Sequence, residues 1–224
     1  MNVTREENPF ADEVVAKEWI NSVENEQGLI RDNEIYPLLR AWAKNLQAQV
    51  IVEIGSGQGI CADKVQVTGT KYMGVEPSSY LVERAKEKYS LENREFVVGN
   101  AYELPIESES VDAIFSVGVW FHLEDLQTAS TEMHRVLKKG GHFLIVTANP
   151  EKNSAWESFY VGAEKKGNKL VGKVMVPVNP LSKNIFHLHT LEDIRASLLE
   201  AGLDIESIDM FGKSKDNTDL FIAI

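Results

Sequence analysis

Residues 53–59 read Glu-Ile-Gly-Ser-Gly-Gln-Gly, a glycine-rich turn with an acid at its entrance. Glycine lacks the Cβ that would block a sharp bend or keep a ligand off the backbone. Two ligand classes use such a turn. A dinucleotide-binding turn spaces its glycines G-x-G-x-x-G; here Gly55, Gly57 and Gly59 alternate and position 60 is Ile. Glu53 stands two residues before the first glycine, where a carboxylate repels a pyrophosphate and attracts an ammonium or sulfonium. Glu76 follows Gly55 by 21 residues, and a carboxylate there can accept both hydrogen bonds of a ribose diol.

The remaining candidates are histidines, aromatics and one thiol. His122 has the imidazole whose ordinary pKa suits proton transfer; its other reading is a cap or packing residue of the next helix. His187 and His189 alternate in Asn-Ile-Phe-His-Leu-His-Thr, so on extended backbone they point the same way. No third ligand stands nearby in sequence, and no metal is expected. Trp120 and Phe121 beside His122 are either the wall of an apolar pocket or core. Cys61 is the single cysteine, which excludes an internal disulfide and reads as a small buried residue.

These residues need a frame. Val50–Ile54 is a short β-branched run, and 71–76, 94–98, 111–117 and 142–147 read as further strands. Helical stretches at 59–67, 78–89 and 123–138 separate them. Short apolar strands alternating with helices give a parallel sheet covered on both faces, a doubly wound α/β fold. Ahead of it, Val15, Trp19 and Val23 form one helical stripe and Ile35, Leu38, Leu39, Trp42 and Leu46 a second, with Gly28 between and Pro37 near the second start. Behind it, 151–166 reads as helix and 169–177 as strand. Thr190 caps a helix that Gly202 ends. Leu203–Phe211 and Thr218–Ile224 are strands joined by a loop too short for a parallel crossover, so they form an antiparallel hairpin.

The 224 residues are 43% hydrophobic and 25% charged, ordinary values for a folded chain. The net charge of −11 argues against a partner held through phosphates, so no nucleic acid is expected. The first residues lack a signal-peptide pattern and no apolar run reaches a membrane span, so a cytoplasmic protein without membrane partners is expected. Oligomeric state is not legible.

The motifs together resemble the class I S-adenosylmethionine-dependent methyltransferases, in particular the small-molecule, type 11-like group. VEIGSGQG matches the family's first motif, GVEPS its second strand, VVGNAYELPI its adenine segment, VDAIFSVGVWFHLED its fourth strand and LKKGGHFLIV its fifth. The resemblance covers about residues 48–148 well and 185–224 loosely. It implies a Rossmann-like seven-stranded sheet of order 3-2-1-4-5-7-6 with the last strand antiparallel, and S-adenosylmethionine as cofactor. It implies one domain: an N-terminal helical cap (1–47), a cofactor core (48–148), a substrate insert or lid (149–189) and a C-terminal helix and hairpin (190–224).

By the same resemblance Gly55, Ser56 and Gly57 face the methionine end of the cofactor and Glu53 holds the loop and the amino group. Glu76 takes the ribose, Pro77 lies against adenine, and Asn100, Ala101 and Tyr102 surround the base. Asn100 stands where the family usually has Asp; its carbonyl can still accept, or it simply makes a turn. Val117 ends the fourth strand below the sulfonium. His122 is the candidate catalytic residue; Tyr36, Trp120, Tyr160, His187 and His189 are the substrate candidates.

Methyl transfer from a sulfonium is an in-line displacement on an already activated donor, so positioning supplies much of the rate. The expected reaction is methylation of an O, N or C nucleophile of a small metabolite. The alternatives are a non-catalytic cofactor-binding partner of the same fold and a protein side-chain methyltransferase. A nicotinamide oxidoreductase is opposed by the glycine spacing and by Glu53.

Overall fold

The computed structural model describes residues 8–25, 30–65, 69–152, 160–176, 179–213 and 219–224. The cap consists of α1 (Glu13–Asn25) and α2 (Tyr36–Leu46). Pro37 lies in the first turn of α2, where its missing amide is not needed. Arg31–Ile35 form a wider π-type turn that runs straight into α2. Gly28 lies outside the described residues.

Five parallel strands follow: β1 (Val50–Ile54), β2 (Lys71–Glu76), β3 (Arg94–Val98), β4 (Val111–Val117) and β5 (Leu137–Ala148). They alternate with α3 (Ile60–Lys64), α4 (Ser79–Tyr89) and α5 (Leu126–Val136). β6 (Tyr160–Lys166), β7 (Lys169–Val176) and β8 (Asn179–His187) form an antiparallel sheet of their own. The chain ends in α6 (Leu191–Glu200), β9 (Asp209–Lys213) and β10 (Asp219–Ala223).

The large sheet has the order β3-β2-β1-β4-β5-β10-β9, and β10 is antiparallel to both its neighbours. Counting only its own strands, this is the expected 3-2-1-4-5-7-6. The order reverses between β1 and β4, and the crevice outside the strand ends there is where such sheets take ligands.

Alternation along β1 shows how the sheet is covered. Val52 and Ile54 join Met133 and Val136 of α5 and Ile194 and Leu198 of α6 in one core. Ile51 faces the other way, to Tyr36, Leu39 and Ala43 of α2 and to Phe115. Leu39 and Leu198 are fully buried, and each such side chain contributes about 1.5–3 kcal/mol of transfer free energy. Glu53 shares the face of Ile51, so an acid enters the core beneath α2.

Two expectations change. Residues 160–166 are strand, not helix. Gly167, with φ +62°, makes a tight turn with Asn168, and Lys166 pairs with Lys169 across it. The Gly-Asn step was the overlooked signal; 153–159 lie outside the described residues. The sixth strand of the large sheet also starts late: 203–208 run without pairing, and β9 begins at Asp209. The capping box of α6, Thr190 with Asp193, and the left-handed Gly202 are as expected.

Candidate active site

The turn after β1 holds three left-handed glycines, Gly55 (φ +74°), Gly57 (φ +54°) and Gly59 (φ +83°). They serve different needs. A Cβ on Gly55 would lie 2.3 Å from Val119 Cγ2, and one on Gly59 would lie 2.8 Å from Phe96 Cε1. These two let the loop pack. A Cβ on Gly57 would meet nothing within 4 Å, so that flank is open to a ligand. Ser56 lies over Gly74 of β2, and its Oγ and the Nε2 of Gln58 are buried without a hydrogen-bond partner among the described residues.

Register places the two acids close. Glu53 pairs with Gly74, two residues before Glu76 on β2. Glu76 is 5% exposed; its Oε2 accepts the Gly57 amide at 3.1 Å and its Oε1 the Ser78 amide at 2.9 Å. Burial pushes its pKa up to about 7, against the pull of those two amides. Glu53 is 2% exposed and accepts from the Tyr72 hydroxyl. Burial pushes it too to about 7; the Tyr72 and Cys61 donors oppose the shift and the charge of Glu76 adds to it. Cys61 is thus a buried residue of α3, as expected, but its thiol bonds to Glu53.

Two desolvated carboxyls on one turn favour a cationic ligand, because a positive charge would stabilise both ionised forms. The unpartnered atoms of the loop add unmet polar capacity. The residues present therefore fit a sulfonium nucleoside with an amino-acid tail. They fit a diphosphate badly.

Residues 100–103 form a turn. Asn100 Oδ1 accepts the amides of Tyr102 at 2.8 Å and Glu103 at 3.1 Å, so the turn reading of Asn100 is realised in this structure. It sets out the buried Ala101, while the Tyr102 hydroxyl accepts the Glu124 amide at 2.9 Å. Pro77 is half-buried after Glu76, and Val117 closes β4 before the left-handed Gly118.

Several site neighbours escaped the sequence reading. Ser78 caps α4 and its hydroxyl donates to the Phe10 carbonyl at 2.5 Å, which lays the strap 8–11 beside Glu76. Phe10 packs on Trp19 at 5.2 Å. Glu24 of α1 takes Arg84 of α4 through both oxygens at 3.0 and 2.8 Å and Lys88 at 3.0 Å. Tyr72 had a signal: it shares the face of Gly74 and Glu76 on β2. Phe10 had none, since its contact is 68 residues away in sequence.

A narrow hollow with room for about one water lies at the ends of β4 and β5, lined by Trp120, Phe121, Thr147, Phe186, His187, His189 and Ile194. Trp120 is 2% exposed and donates from Nε1 to Ser116 Oγ at 2.9 Å. Phe121 stacks on Phe186 of β8 at 4.7 Å and 11°. The His187 and His189 rings stack at 5.7 Å, and His189 Nε2 lies 2.6 Å from the Leu123 carbonyl. Next to this hollow, His122 Nδ1 lies 3.3 Å from the Ile185 carbonyl. Burial lowers the His122 pKa to about 4; the carbonyl opposes this and His187 adds to it. His122 is therefore neutral at pH 7. It ties the insert to the turn after β4.

The structure thus brings Trp120, His187 and His189 together. It sends Tyr36 elsewhere: 3% exposed, in the core under the glycine loop, with its pKa raised by burial and by neighbouring Cys61. Tyr160 opens β6, and its side chain lies outside the described residues. Among the described residues no group of three or more His, Cys, Asp or Glu converges on a point that could hold a metal.

Sheet order, glycine turn and paired acids define a class I S-adenosylmethionine-dependent methyltransferase fold. Residues 52–145 match the family described as methyltransferase domain. Among relatives, the chain is 31% identical to the sterol 24-C-methyltransferase of Pneumocystis carinii over 117 residues, 50% of this chain and 30% of that one. It is 28% identical to the ubiquinone/menaquinone biosynthesis C-methyltransferase UbiE of Sinorhizobium fredii over 163 residues, 68% of this chain and 63% of that one. The chain thus spans less than two thirds of these relatives. Among solved folds it is similar to the PH0226 protein of Pyrococcus horikoshii, with a TM-score of 0.70 at 18% identity over 86% of this chain and 87% of the other. It is also similar to an S-adenosylmethionine dependent methyltransferase of Mesorhizobium loti, with a TM-score of 0.64 at 19% identity over 84% and 94%. No helix among the described residues is long and apolar enough to cross a membrane.

Proposed function

We propose that the chain transfers the methyl group of S-adenosylmethionine to an O, N or C nucleophile of a small, largely apolar metabolite. The observation that carries this is Glu76, a buried carboxylate bonded to the amide of Gly57 on the open flank of the glycine turn. Glu76 takes the ribose diol, Glu53 the ammonium end, and the turn of Asn100 offers the Ala101 amide to the base. When bound, the cofactor supplies an electrophilic methyl group.

The chain's own part is to place the acceptor in line. The hollow of Trp120, Phe121 and Phe186 favours an apolar body, and His187 and His189 give it a polar edge. The relatives' names, a sterol and a quinone methyltransferase, favour the same class of acceptor. His122 is neutral at pH 7, as a proton acceptor must be, but weakly basic. It therefore suits a nucleophile with an acidic proton, phenolic or enolic, better than an alcohol. The net charge of −11 speaks against a nucleic-acid acceptor, and the free, buried Cys61 suits a reducing cytoplasm.

Calorimetry with S-adenosylhomocysteine and NADH tests the cofactor reading: binding of the first and not the second is expected. Release of S-adenosylhomocysteine across a panel of phenols, quinols, sterols and hydroxy acids tests the acceptor. Turnover confined to polar amines, or none across the panel, would refute the assignment of the hollow.

A further inference from the structure

Away from the candidate active site, a cavity of about 20 Å³ lies between the sheet and the end of α3, with room for about one or two waters. It sits near the starts of β2 and β3, whereas the glycine turn meets the far end of β2 at Glu76. Ile51 and Phe115 form its apolar wall, and Thr70, Tyr72, Asn93 and Arg94 its polar edge. Two of these polar groups are fully committed. The Thr70 hydroxyl donates to the Ala48 carbonyl at 2.8 Å, and the Tyr72 hydroxyl donates to Glu53. The Asn93 amide donates to the Thr70 carbonyl at 2.8 Å and keeps a second N–H.

Arg94 is different. Its side chain is 5% exposed, yet among the described residues its guanidinium makes no hydrogen bond. The one carboxylate within 4 Å is Asp63, whose Oδ1 stands 3.9 Å from Nη1 on a side chain that is 52% exposed. A pair that long, with one partner in water, neutralises little. A buried cation is costly unless it is both paired and hydrogen-bonded. Arg94 thus turns unused donors and an uncompensated charge toward a cavity with apolar walls. The complement is an anion.

We propose that Arg94 and the Asn93 amide hold a small monovalent anion of chloride size in this cavity. The dimensions exclude a phosphate or a sulfate. One guanidinium balances one negative charge, and a divalent anion would leave a surplus in apolar surroundings. The walls of Ile51 and Phe115 favour a weakly hydrated ion such as a halide. Bound there, the ion completes the charge balance between α3 and the edge strand β3, so it stabilises the fold by mass action. None of this depends on the cofactor reading.

The test is urea unfolding of the full chain in rising chloride, with gluconate, too large to enter, making up a constant sodium concentration. A charge-assisted contact of ordinary strength corresponds to a dissociation constant of about 10–50 mM. About 200 mM chloride should then multiply the folding equilibrium constant by about 5 to 20. Arg94→Met removes the charge and keeps comparable bulk. It carries the general effect of salt, so the gain of wild type over this variant is the reading. An equal chloride gain in both proteins, or none in either, would overturn the site. Crystals of wild type soaked in bromide give a second reading that stands even if the variant fails to fold. An anomalous peak against the Arg94 guanidinium is expected; bromide on the surface alone, an adventitious ion only, would overturn the assignment.

Discussion

Replacing Glu76 by Gln should flatten the pH dependence of stability of the cofactor-free protein. The folded carboxyl titrates at about 7, raised by burial from an ordinary 4.5. A raised acid favours folding most when protonated: its contribution is complete below the unfolded pKa and is lost as pH climbs through the folded one. Between pH 8 and pH 5.5 that difference amounts to about 2 kcal/mol for one such group. His122, lowered to about 4, works the other way across this range, because the unfolded imidazole takes up the proton first. His122 is common to wild type and variant; Glu53, which the charge of Glu76 helps to raise, relaxes in the variant, so the difference in slope reports Glu76 together with its coupling to Glu53. Urea unfolding of each protein at pH 5.5 and 8 measures it. The variant gains a constant offset from presenting an NH2 toward the Gly57 or Ser78 amide, which does not affect the slope. Identical slopes would refute a buried, titrating Glu76. Saturating S-adenosylhomocysteine should also diminish the wild-type slope if its ribose hydroxyls stabilise the ionised form.

Gly55→Ala should cost about 1–3 kcal/mol in stability and abolish measurable cofactor binding, since its Cβ collides with Val119. Gly57→Ala should cost only about 1–2 kcal/mol, from its left-handed φ, and lower affinity by occupying the open flank. Equal unfolding midpoints for the two variants would refute the division of labour among the glycines. If His122 takes a proton from the acceptor, His122→Ala should lower turnover by about 10²–10⁴-fold with cofactor affinity intact; wild-type turnover would leave only its tie to Ile185. Glu24→Ala removes the anion between Arg84 and Lys88, and should speed release of S-adenosylhomocysteine in stopped-flow by loosening α1 from α4 and with it the strap 8–11 beside Ser78. Unchanged release would place cofactor exit elsewhere.

The sequence by itself determined what local chemistry can specify. Five short apolar strands, a turn spelled in glycine, an acid at the next strand's end and a two-strand tail with too short a loop to cross over were enough for a doubly wound sheet with an antiparallel tail and for the ligand class; the strand order came with the family resemblance. Thr190 and Gly202 marked a helix because capping is decided within a few residues. What stayed hidden depends on which distant groups meet. Tyr36 looks like a ligand-facing tyrosine in a helix start, yet α2 turns it into the core toward Glu53 and Cys61. Asn100 was equally suited to a base or to its own backbone, and the fold gave its oxygen to two amides. Residues 160–166 carry no strong helical or strand period, and their partner β7 settled them as strand. The near-neutral acids are wholly tertiary: any surface glutamate has the same side chain, and only its burial in the folded chain makes its charge expensive.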